Sequence, residues 1–311
     1  MRLLFLAAAL MAAVSGCVDA DAQTIKNASA SPSASPPIAS VAGATSSPPS
    51  PDASDISESE PAYQINPLGM TLKDRFPAPS GFERIAPESG SFAEYLQNLP
   101  LKPDGSKVKY FDGREKTSNV YLAVIDFTLG DRDLQQCADA VMRLRAEYLY
   151  AQGANGEIQF HLVSGFLADF SKWASGYGIS VSRNNVSWIK NSLNDASYES
   201  LQRFLDMVYA YASTLSLEKE LANKDSDLAA GDVFIRGGSP GHAVIVADTA
   251  INSLTGEKLF MLAQSFMPAQ DIQILSNPQA FPASPWYSDN FGDELTTPEW
   301  TFRKEELKTW P

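Results

Sequence analysis

Cysteine and histidine are scarce in this chain of 311 residues, which has two of each. Cys17 ends an N-terminal apolar run, so Cys137 stands alone in the rest, and the histidines are His161 and His242. A single body cysteine excludes a disulfide within the body. Two histidines far apart, with no His-Glu-x-x-His and no cysteine pair, leave no ligand set for a metal, and no cofactor is implied. After the N-terminal run there is no second long apolar stretch, so no further span is expected, and no internal repeat is visible. Positive charge is also short. Lys and Arg number 24 against 37 Asp and Glu, a net charge of −13, which argues against nucleic acid or an anionic lipid surface as partner.

The first residues point to export. Met1-Arg2, the apolar run Leu3–Val14 and the small residues Ser15-Gly16 before Cys17 have the form of a secretory leader, too short to span a bilayer. Residues 1–16 are expected to be a lipoprotein signal peptide, with Cys17 as the lipidation site and new N-terminus. Val18, in place of Asp after that cysteine, favours the outer membrane of the bacterial envelope over the inner one. Residues 17–60 are mostly Ala, Ser and Pro, too poor in apolar mass to offset chain entropy. They read as a disordered tether, reaching roughly 35–40 Å root-mean-square. Residues 61–311 then form one body in the periplasm, with the membrane as a partner through the lipid.

The body mixes helix and strand signals. Ser91-Phe92-Ala93-Glu94 is a capping-box pattern, and Lys107–Phe111 alternates like an edge strand. Val120–Leu129 is β-branched enough for a strand. Leu134, Cys137, Ala138, Val141, Leu144 and Tyr148 recur at helical spacing, predicting an amphipathic helix capped by Asp131 or Asp133. Glu157–Val163 alternates, a loop-rich stretch follows, and Tyr198–Ala212 is a second strong helix, with Ser216–Ala222 continuing after a break. Strands are expected at Val233–Arg236, His242–Asp248, Lys258–Ser265 and Ile272–Leu275, with a C-terminus aromatic enough to dock. The sum is an α+β domain.

The chemistry concentrates at Cys137 and His242. A cysteine nucleophile needs a base within reach and a third group to orient that base, and a helix N-terminus favours the thiolate. Cys137 near a helix start is the candidate nucleophile. His242, opening a strand after a Gly-rich turn, is the candidate base, and Gln264 the orienter ahead of Ser265 or Asp248. Gln135, Gln136 and Ser239 are candidates for an oxyanion or substrate site. The bland alternative is that Cys137 is a small core residue and His242 structural. Trp173, Tyr177 and Trp188 line a sugar groove or fill a core. Gly237-Gly238-Ser239-Pro240-Gly241 matches a serine-hydrolase elbow by letters only, since a strand rather than a helix follows and Pro240 lacks an N–H.

Four stretches carry a resemblance: Gln135–Ala140, Arg143–Leu149, Gly231–Ile235 with Ser239–Ala243, and Leu262–Gln270. Together they resemble the bacterial family catalogued as domain of unknown function 4846, over roughly residues 67–302. A remoter similarity is to the NlpC-type and CHAP-type papain-like cysteine peptidases, in which a cysteine at a helix start precedes a strand histidine. That similarity implies a helix bearing Cys137 packed on an antiparallel sheet, a helical and loop insertion at about 152–229, and cleavage of an amide in a cell-wall peptide or related acyl substrate. The other expectation is a non-catalytic envelope lipoprotein of the same fold that binds peptidoglycan or an envelope protein.

Overall fold

The computed structural model describes residues 63–311 except 184, 192, 193 and 226. The expected signal peptide, Cys17 and the whole of the tether lie outside the described residues. Within them the architecture is α+β, built on a nine-stranded sheet in which every pairing is antiparallel.

In chain order its strands are β1 (Glu83–Arg84), β2 (Tyr121–Val124), β3 (Ala222–Asn223), β4 (Val233–Arg236), β5 (His242–Ile251), β6 (Lys258–Gln264), β7 (Gln273–Leu275), β8 (Trp286–Ser288) and β9 (Leu307–Thr309). Their order across the sheet is β2-β7-β6-β5-β4-β9-β3, with β1 added on β5 and β8 on β6. The helices are α1 (Phe92–Gln97), α2 (Cys137–Ala151), α3 (Tyr198–Tyr211) and α4 (Thr214–Glu220), besides shorter turns.

Strand β5 has almost no polar residue in its first half because both of its faces are covered. Ala243, Ile245 and Ala247 join Ala263 and Met261 of β6 against Ala138, Val141, Met142 and Leu144 of α2, forming the inner core. Val244 and Val246 face the other way, with Phe234, Phe260, Leu262, Tyr287 and Phe302, forming the outer core. Alternation along the pleat does this. It decides the functional geometry, because His242 has the parity of Val244.

Several local expectations meet corrections. Glu94 N–H does donate to Ser91 Oγ (3.2 Å) at the start of α1. Helix α2, however, is capped by Gln136 rather than Asp131 or Asp133. The Asp133 carboxylate is drawn off to the backbone N–H of Ala269 (2.6 Å). Lys107–Phe111 makes isolated bridges to Glu115 and Gln270 instead of a strand, since Tyr110 N–H turns back to Arg114 (2.8 Å). The alternating stretch Glu157–Val163 supplies the strand Gln159–His161, and the stretch read as loop supplies its partner Leu167–Asp169 and a second hairpin, Tyr177–Ser182 with Asn185–Lys190. The second buries little, so its residues carry no clean alternation. The C-terminal aromatics dock as strands, Trp286 and Tyr287 in β8 against β6.

Candidate functional site

Cys137 is the first residue of α2, a free thiol 6 % exposed. The backbone N–H groups of Ala243 in β5 and of Cys137 and Ala138 favour its thiolate. A helix start by itself would lower a thiol's pKa. Here burial pushes it up to about 11, with the neighbouring Asp139 carboxyl adding to the rise. Desolvation wins over the helix dipole.

Asp139 is itself buried, and burial holds its carboxyl up at about 8 against the lowering pull of the Gln136 N–H. Both residues line a cleft of about 340 Å³ with Gln136, Tyr209 of α3, Thr214 of α4 and the turn Gly238–Gly241. The glycines of that turn are needed. Gly238 sits at φ +136, and a Cβ on Gly241 would lie 2.6 Å from both the Gly238 carbonyl and Thr214 Oγ1.

His242 lies elsewhere. Its ring is 1 % exposed, on the outer face among Phe266, Trp300 and Phe302, with centroids 4.8, 5.5 and 5.8 Å away. Gln264 does meet it, with Nε2 and Oε1 2.9 Å apart. The amide nitrogen of Gln264 donates to Glu299 Oε2 (2.7 Å), so its oxygen is left as the acceptor and His242 Nε2 carries the proton. Lys116 Nζ closes the chain on the same Glu299 oxygen (2.7 Å). Burial lowers His242 to about 4, the Gln264 contact opposing that and Lys116 adding to it. Nearby, Trp300 Nε1 and both amide atoms of Gln273 have no partner.

The structure therefore joins His242 to Gln264 and places Cys137 across the sheet from both. Ser239 and Gln136 line the Cys137 cleft, Ser239 exposed on the turn and Gln136 donating to Asp133 (3.1 Å). Gln135 is turned inward, held by the Arg143 guanidinium and 3.5 Å from the Gln270 carbonyl. Ser265 donates to the Gln270 carbonyl (2.8 Å). Asp248 is bound to Arg84 (2.6 Å) and Gln97 (2.8 Å). Neither approaches the role of an orienter.

Two further hollows hold polar groups. Trp173 and Tyr177 line one of about 530 Å³ with Asn191, Asp195 and Arg203, while Trp188 stacks apart on Phe166 (5.5 Å). His161 sits 2.8 Å from Glu220 in a groove of about 780 Å³ edged by Leu215 and Trp310. Burial raises the Glu220 carboxyl. Sequence reasoning missed Asp139 and Tyr209. The signal available for Asp139 was its place three residues after the helix cap, where a carboxylate turns back to the cap N–H.

A family model matches residues 72–309. The chain belongs to the family described as domain of unknown function 4846. That match runs from the one-turn helix Leu72–Arg75 to the last strand, so it takes in the whole sheet and both faces of the 4846 domain's strand β5. No curated protein and no solved structure matches the chain.

Proposed function

We propose that this protein is a lipid-anchored lipoprotein of the bacterial envelope whose body binds the cell wall rather than cutting it. One observation carries the reading: Cys137 heads the helix packed on the inner face of the sheet, while His242 projects from the outer face. A base must lie within hydrogen-bond reach of the thiol it activates. His242 is instead committed to Gln264, walled by aromatic rings, and lowered to about 4, while the thiol is raised to about 11. The hollow at Trp173 and Tyr177 supports binding, since ring faces beside amide, carboxylate and guanidinium groups suit a sugar. The leader and Cys17 supply the anchor in this reading. Among the described residues no helix is long and apolar enough to cross a membrane.

Co-sedimentation of the full chain, in detergent, with purified peptidoglycan sacculi tests the proposal. The wild type is expected to pellet with sacculi and to release no more soluble fragment than Cys137→Ala. Fragments released by the wild type alone would replace this reading with hydrolysis, and failure to pellet would remove the cell wall as partner. Cys17→Ala is expected to abolish incorporation of labelled palmitate.

A thiol hydrolase on a papain-like core is the second reading. It is favoured by the order of elements, with Cys137 heading the helix that packs on the strand His242 opens and Gln264 on the next strand holding the imidazole. It requires a different base for Cys137, and Asp139 is the titratable group beside the thiol.

A further inference from the structure

The cleft at the start of α2 is lined by two residues, Asp139 and Tyr209, that each keep one buried polar atom without a partner. Asp139 Oδ2 takes the Gln136 N–H (3.0 Å), but Oδ1 has no partner, although the residue is only 7 % exposed. Tyr209 lines the same cleft from α3, and its buried hydroxyl too has no partner. A buried polar group left unpaired costs about 1–3 kcal/mol, and native folds keep few such groups. Two of them on one small cleft, from two different helices, mark a place shaped for a ligand.

Charge selects the ligand. The lining includes Asp133 and Asp139, and no Lys, Arg or His is among the lining residues. Arg143, one turn along α2, is occupied by Gln135, Glu147 and the Thr128 carbonyl. A carboxylate or phosphate would face Asp133 with no counter-charge among the lining residues. An ammonium group brings three donors and no acceptor, matching Asp139 Oδ1, the Tyr209 oxygen and the Ser239 hydroxyl on the turn. A volume of about 340 Å³ admits an amine with a residue or two attached.

We propose that this cleft binds a primary ammonium group, such as a peptide N-terminus or the side-chain amine of a diamino acid, with Asp139 and Tyr209 as its receptors. The inference deepens the cell-wall reading by naming the chemistry one end of the ligand must carry. Binding also displaces a proton. Burial holds the Asp139 carboxyl at about 8, and an adjacent cation favours its ionised form, so complex formation near pH 7 releases a proton to the buffer.

Calorimetry of the full chain with L-alanyl-L-alanine, its N-acetyl derivative and N-acetylalanine tests this. The free amine is expected to bind, and the acetylated forms at least tenfold more weakly. Asp139→Asn should weaken the amine at least tenfold. Tyr209→Phe, which removes one oxygen and leaves the packing, should weaken it about threefold. The observed heat should change with the buffer's ionisation enthalpy in the wild type and not in Asp139→Asn. Equal binding of the acetylated peptide, tighter binding of N-acetylalanine, or no binding by the folded chain would overturn the proposal. Sacculus binding without amine binding would sink this inference alone. Amine binding without sacculus binding would sink only the cell-wall reading.

Discussion

The two faces of strand β5 handle polarity differently. On the outer face the polar side chains of His242, Gln264, Glu299 and Lys116 are bonded to one another in a chain, closed in by Phe266, Trp300 and Phe302, and the unpaired Trp300 Nε1 and Gln273 amide beside it line no described cleft. On the inner face Cys137, Asp139 and Tyr209 border a cleft, and Asp139 and Tyr209 each keep an unpaired atom. A histidine and a cysteine adjacent in the fold by strand and helix are thus kept apart by the pleat, since α2 packs on the face of Ala243 and Ile245 and His242 points to the other. The outer chain has the character of structure, and the inner cleft that of a site.

The largest effect expected from this contrast is on stability. His242→Ala opens a cavity among the aromatic rings and leaves the Gln264 oxygen without its donor, so it should lower unfolding free energy by about 2–4 kcal/mol. Cys137→Ala, which removes one sulfur, should cost about 1 kcal/mol or less. Paired urea melts measure both, and equal costs would break the contrast.

Next comes pH. Because His242 is held near 4 against a normal 6.5, the folded chain resists a proton that the unfolded chain accepts. This stability is present above pH 6.5 and is lost as pH falls towards 4, by about 3 kcal/mol in all. His242→Gln should flatten that limb of a urea-midpoint series. Asp139 acts with the other sign. Its raised carboxyl favours the fold below pH 3.8, and that contribution is lost as pH rises through about 8. Asp139→Asn should therefore be more stable than wild type at pH 8, by roughly 1–3 kcal/mol, since the amide is also buried. The smallest effect belongs to His161→Ala, whose half-exposed pairing with Glu220 should contribute within about 0.5 kcal/mol.

Much of the sheet and the helix bearing Cys137 could be read from apolar periodicity. The strands β4 to β7 and helices α2 and α3 are elements with a strong buried stripe. The hairpin between residues 177 and 190 was illegible because its strands are mostly half-exposed or exposed, whereas Gln159–His161 showed its alternation around the buried Phe160. At the site, the sequence identified His242 with Gln264 and Cys137 at a helix start. Two buried faces make β5 apolar on both sides, so no alternation marked which side His242 takes. Asp139 was not singled out because nothing in the sequence distinguishes it from any first-turn acid, and only the packing of α3 against α2 reveals Tyr209 beside it.

The pH dependence of Cys137 alkylation by iodoacetamide, in the folded full chain of wild type and His242→Gln, tests the central claim most directly. A thiol that reacts slowly, titrates above the free value of about 8.5 and is indifferent to the histidine change is the predicted result. A thiolate forming well below that value, and shifted by His242→Gln, would place the imidazole on the thiol's side of the sheet and contradict the account.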